Sequence, residues 1–135
     1  MRMDFTDILK PDLEGEKTEA VTEANTARAL GSGGLAVYGT PAMITLLEKA
    51  SLAAVDPLLP AGWSTVGTEL DAKHIAATAL GMHVSAKAKL LSINGRELVF
   101  NVQAFDEAGK IGEATHKRFI VENERFMAKA AAKKA

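Results

Sequence analysis

Residues 40–55, TPAMITLLEKASLAAV, read as a helix too apolar to lie on a surface. Thr40 is a good N-cap residue, and Pro41 fits the first helical position, where its missing N–H is no loss. Met43, Ile44, Leu46, Leu47, Ala50, Ala53 and Ala54 then keep the run apolar for about four turns, until DPLLPAG ends it. A helix with so little polar surface must be wrapped on most of its sides, and a sheet is the natural wrapper.

The second half of the chain supplies that sheet. Four runs read as strands, at 64–76, 84–93, 97–105 and 110–121, and their junctions read as hairpins. SINGRE places Asn94 and Gly95 at the centre of a two-residue turn. DEAGK is the next turn, and TALGM, with Gly81, is the one before. Earlier, Thr18, Ala20 and Thr22 alternate with charged neighbours, so 17–21 reads as a first strand. GSGG at 31–34 is a loop, and ENERFMAKAAAKKA is a terminal helix that frays. The expected fold class is α+β: a curved antiparallel sheet around a long central helix, with a helix at the C-terminus. Open sheet edges favour a homodimer or a higher oligomer.

The chain has 135 residues, the length of one domain. Sixteen Lys and Arg against seventeen Asp and Glu leave a net charge of −1, which provides no field for nucleic acid. The absence of cysteine excludes thiolate nucleophiles, disulfides and Cys-ligated metals. With no signal-type segment and no long apolar span, a cytoplasmic protein without membrane attachment is expected. His74, His83 and His116 have no metal-ligand spacing, and no phosphate-binding loop follows a strand. Neither a metal nor a separate cofactor is expected.

Alternation along the strand from Val66 puts Val66, Thr68, Leu70, Ala72 and His74 on the helix-facing side, and Gly67, Glu69, Asp71 and Lys73 on the other. His74 is either a satisfied core histidine or a working one. Glu48 falls on the border between the polar stripe of Thr45, Lys49 and Asp56 and the apolar remainder, so periodicity leaves its exposure open. The Thr40 hydroxyl is explained by capping alone. It also lies beside the first helix amides, those of Ala42 and Met43, at the positive end of the helix dipole, where a developing oxyanion can be held. A hydroxyl, an imidazole and a carboxylate together have the composition of a nucleophile, base and orienter. His116 shares a strand face with Ala114, Arg118 and Ile120, while His83 is expected to be exposed.

YGTPAMITLLEKA, GTELDAKHIAATALGM and INGRELVFNVQAFDEAGKIGEATHKRF together resemble the hot-dog-fold thioesterases, and most closely the fluoroacetyl-CoA thioesterase-like family. The resemblance implies a homodimer that hydrolyses an acyl-CoA thioester, with coenzyme A entering only as part of the substrate. Thr40 matches the family's catalytic threonine, Glu48 its carboxylate and His74 its histidine. Gly67 matches a glycine near the thioester, and His116 and Arg118 match a THxR strand. The family's bulky aromatics before the threonine are replaced here by GSGGLAVY, which suits a small or medium acyl group. Lys110, Arg118 and Lys73 are candidate surface cations for the coenzyme. The competing expectations are a hydratase or dehydratase on the same fold, and a catalytically silent acyl-CoA or small-ligand binding dimer.

Overall fold

In the computed structural model, which describes residues 4–134, the long helix sits against one face of a five-stranded antiparallel sheet. The strands are β1 (Glu14–Ala20), β2 (Trp63–His74), β3 (His83–Asn94), β4 (Glu97–Asp106) and β5 (Gly109–Glu122). A short helix α1 (Ala27–Leu30) precedes the central helix α2 (Thr40–Val55), and α3 (Asn123–Ala131) closes the chain. No helix among the described residues is long and apolar enough to cross a membrane.

The inward set of α2 is Met43, Leu46, Leu47, Ala50, Ser51, Ala54 and Val55, all buried. They pack with Val84, Ala86, Ala88 and Leu90 of β3, Leu98, Phe100, Val102 and Ala104 of β4, and Ile111, Ala114 and Ile120 of β5. The sheet therefore curls around the helix, because each strand turns alternate residues to the same apolar surface. Strand β1 crosses α2 so closely that a Cβ on Gly15 would lie 2.1 Å from the Ala50 carbonyl oxygen. Only glycine permits that crossing, and pairing with β3 from Glu14 onward starts the strand earlier than the expected 17–21.

Three expectations are corrected. The strand order is β1-β3-β4-β5-β2, so β2 and β3 are not hairpin partners: residues 75–82 carry the chain across, and β2 pairs with β5 at the far edge. A connection of that length is no two-residue turn, although Gly81 does take positive φ (88°) within it. The β3–β4 turn is centred on Gly95 and Arg96 rather than on Asn94 and Gly95, since Asn94 pairs with Glu97. A bulge at Leu91 moves the register by one residue, and Gly95 alone supplies the positive φ (63°).

The third correction concerns β2 itself. Gly67 pairs with Arg118 and Glu69 with Lys117, which leaves Thr68 as an extra, bulged residue. The bulge reverses the parity of the strand. Thr65 and Gly67 face inward before it, and Leu70, Ala72 and His74 after it, so Val66 and Thr68 do not share the face of His74.

Candidate active site

Helix α2 starts at its expected cap, one residue early. The Met43 N–H donates to the carbonyl of Gly39 at 3.0 Å, which makes Gly39 the N-cap and Thr40 the first helical residue. Gly39 is pressed against Ala27 and Leu30, where a Cβ would meet atoms at 3.0–3.2 Å. Released from capping, the Thr40 hydroxyl lies 2.7 Å from His74 Nδ1. The Met43 amide is occupied and does not serve as an open donor. The Ala42 N–H has no hydrogen-bond partner among the described residues and remains at the positive end of the helix.

His74 is half-buried, and its Nε2 is buried with no hydrogen-bond partner among the described residues. Burial pushes the imidazole below the ordinary histidine pKa, against a smaller opposing contribution from the Ala76 backbone. The neutral ring is therefore favoured, and its Nδ1 shares a hydrogen bond with the Thr40 hydroxyl. Beside the pair is a hollow of about 290 Å³, walled by the small side chains of Ala27, Val37, Ala76 and Ala77 and by Tyr38. The Tyr38 hydroxyl donates to Glu19 Oε2 at 2.5 Å, and burial together with that bond raises its pKa well above the ordinary tyrosine range. Tyr38 is thus a fixed, protonated wall. Glu19 lies in no motif, and Tyr38, although inside the YGTPAMITLLEKA stretch, was given no role by the sequence.

Glu48 lies elsewhere. Its Oε2 is 3.7 Å from Arg118 Nη1, and a Cβ on Gly67 would come within 2.8 Å of the same oxygen. Gly67 faces Arg118 across the β2–β5 ladder, whereas His74 faces Gly112. Six steps of β5 separate the two places, roughly 20 Å. Within one chain, Thr40 and His74 meet but Glu48 does not join them.

The Glu48 end is itself highly organised. Arg118 is 5% exposed, which rules it out as a surface cation. Its Nε donates to Thr65 Oγ1 at 2.8 Å, its Nη2 to the Thr65 carbonyl at 2.9 Å, and its Nη1 lies 3.2 Å from His116 Nε2. The Thr65 hydroxyl in turn donates a hydrogen bond to Asp56 Oδ1 at 2.6 Å, tying the network to the end of α2. His116 Nδ1 donates to the Glu69 carbonyl at 2.8 Å, so the ring is held neutral in one tautomer. Burial lowers the His116 pKa, and the Arg118 charge adds to that effect. Burial also works against the Arg118 charge, while Asp56 and Glu48 support it. Thr65 and Asp56 were missed by sequence reasoning. The available signal was a glycine inside a strand, which marks a bulge and would have turned Thr65 inward.

The remaining candidates fall outside both clusters. His83 is exposed and paired with Glu107 at 3.0 Å. Lys110 is paired with Glu113 at 2.9 Å, and Lys73 is exposed. Among the described residues no group of three or more His, Asp or Glu is placed to hold a metal ion.

The sequence profile of the family described as FlK, fluoroacetyl-CoA-specific thioesterase, matches residues 21–124. A fluoroacetyl-CoA thioesterase from Streptantibioticus cattleyicolor is 39% identical over 93 residues, covering 69% of this chain and 67% of that protein. A solved structure of the fluoroacetyl-CoA thioesterase FlK superposes with a TM-score of 0.86 at 32% identity, over 94% of this chain and 98% of the other. A hot-dog-like protein from Thermanaerovibrio acidaminovorans superposes with a TM-score of 0.89 at 19% identity, over 98% of each chain, a likeness of fold alone.

Proposed function

Since the chain belongs to the fluoroacetyl-CoA-specific thioesterase family and is a thioester hydrolase, we propose that it hydrolyses a small or medium acyl-CoA with Thr40 as nucleophile and His74 as its base. The 2.7 Å contact between Thr40 Oγ1 and His74 Nδ1 carries this reading. The hydroxyl attacks the thioester carbonyl as its proton passes to Nδ1. The developing oxyanion is met by the Ala42 N–H and the helix terminus. The C–S bond breaks, the thiol leaves with the proton from the imidazole, and Thr40 carries the acyl group. Water, deprotonated by the same imidazole, then releases the acid. The 290 Å³ hollow and its small side chains suit a short acyl chain.

Glu48 enters this scheme from a second copy of the chain. Strand β2 is a sheet edge of twelve residues whose outer side is unpaired among the described residues, a length that ordinarily requires covering. Antiparallel pairing of β2 with its own copy, centred close to Leu70 and Asp71, brings His74 of one chain opposite the Gly67–Thr68 bulge of the other. The carboxylate beside Gly67 then faces the imidazole and can accept from Nε2–H, the buried donor that one chain leaves unpaired. Arg118, His116 and Thr65 hold that carboxylate in place rather than contact the coenzyme.

The test is free thiol release from a panel of acyl-CoAs by wild type, Thr40→Ala and His74→Ala. Release by wild type and its loss in both variants supports hydrolysis. Loss of an enoyl chromophore without thiol, or acyl-CoA binding with no turnover, overturns it. Oxidation of Asp71→Cys, in a chain with no other cysteine, should give a single covalent dimer.

A further inference from the structure

We propose that the groove between the β3–β4 turn and α3 binds the 3′-phospho-ADP end of the acyl-CoA; this rests on the thioesterase reading above. The groove, about 450 Å³, is lined by Arg96, Val121, Glu122, Arg125, Phe126 and Lys129. Glu122, Arg125, Phe126 and Lys129 follow the i, i+3, i+4, i+7 spacing that puts them on one side of a helix. Arg96 reaches them from the hairpin, its guanidinium 5.0 Å above the Trp63 ring.

Two properties characterise this place. Arg96, Arg125 and Lys129, like Lys17, Lys49, Lys73 and Lys87, have no carboxylate within 4.0 Å among the described residues, but only the first three gather around one concavity. Three cations against the single carboxylate of Glu122 leave the concavity net positive, which suits a phosphate-rich ligand. In addition, α3 buries none of its residues, yet it presents the Phe126 ring, 41% exposed, as a groove wall. A flat aromatic face beside cations suits a purine base carrying phosphates.

The position suits the reaction. Trp63 faces Glu122 across the ladder, four residues along β2 from Gly67, roughly 13 Å. A thioester placed at Gly67 therefore has the groove within the span of an extended pantetheine arm. In the two-chain arrangement, the chain that lends Glu48 also holds the nucleotide.

The experiment compares wild type with Arg125→Glu/Lys129→Glu, both changes on a helix that contributes nothing to the core. KM for acyl-CoA should rise about tenfold with kcat unchanged, as expected for binding shared by ground and transition states. KM for the N-acetylcysteamine thioester of the same acid, which has no nucleotide, should not move. Fluorescence of Trp63, the one tryptophan, should report 3′-phospho-ADP binding to wild type and not to the variant. An unchanged acyl-CoA KM in the variant, or no fluorescence response from an active wild type, overturns the proposal. If wild type cleaves neither thioester, the catalytic reading fails while the nucleotide titration still decides the groove.

Discussion

Thr40 Oγ1 and His74 Nδ1 stand 2.7 Å apart although one begins a helix and the other ends an edge strand. Their contact depends on Gly39 taking over the cap. Thr40→Ala should lower thiol release by about 10²–10⁴-fold, the range for loss of a nucleophile and its proton-transfer partner. Thr40→Ser keeps the hydroxyl and should retain substantial activity. With wild type, rapid quenching should show a mass increase equal to the acyl group, absent in Thr40→Ala.

The acid limb of activity and that of stability share an origin. Burial holds His74 and His116 below the ordinary value of 6.5. A group with a depressed folded pKa binds more protons unfolded than folded, so its stabilisation is complete above about pH 6.5 and is lost as pH falls. Melting temperature should therefore be flat from neutral pH upward and decline on acidification. His116→Gln should flatten that decline. The kcat/KM profile should follow the neutral form of His74, level at neutral pH and falling on the acid side.

Arg118 and Glu48 differ in what they support. Arg118→Met strips partners from the Thr65 carbonyl and His116 Nε2 in a buried place and should cost about 2–3 kcal/mol, measured by urea unfolding. Glu48, its side chain 40% exposed, gives little stability through its 3.7 Å ion pair. Glu48→Gln should leave the urea midpoint nearly unchanged while thiol release falls.

Two glycines should respond in opposite ways. Gly15→Ala drives a Cβ into the backbone of α2 at Ala50 and should destabilise by about 1–3 kcal/mol. At Gly67 the nearest atom is the flexible end of Glu48, so Gly67→Ala should fold normally yet lose activity as the carboxylate is displaced.

Much of this organisation was legible in the chain. The apolar run from Met43 to Ala54 required a wrapper, and the strands and the DEAGK turn followed from alternation and turn chemistry. The inward side of His74, and the shared face of Ala114, His116, Arg118 and Ile120, were also readable. What was hidden depended on register and on neighbours. A bulge at Thr68 inverts half of β2, and nothing in β2 states that its partner is β5 rather than β3. The capping role of Gly39 depends on Ala27 and Leu30 pressing against it, a contact made only in the folded chain. Glu48 is separated from His74 because it packs beside Gly67, seven residues back along β2, a contact that only the folded chain makes.

A heterodimer, co-expressed with two different tags, pairs a Thr40→Ala/His74→Ala chain with a Glu48→Gln chain. Each parent homodimer should be inactive. Shared sites predict one intact site per heterodimer, hence about half of the wild-type rate per dimer. A heterodimer as inactive as its parents would contradict the sharing of the site between two copies.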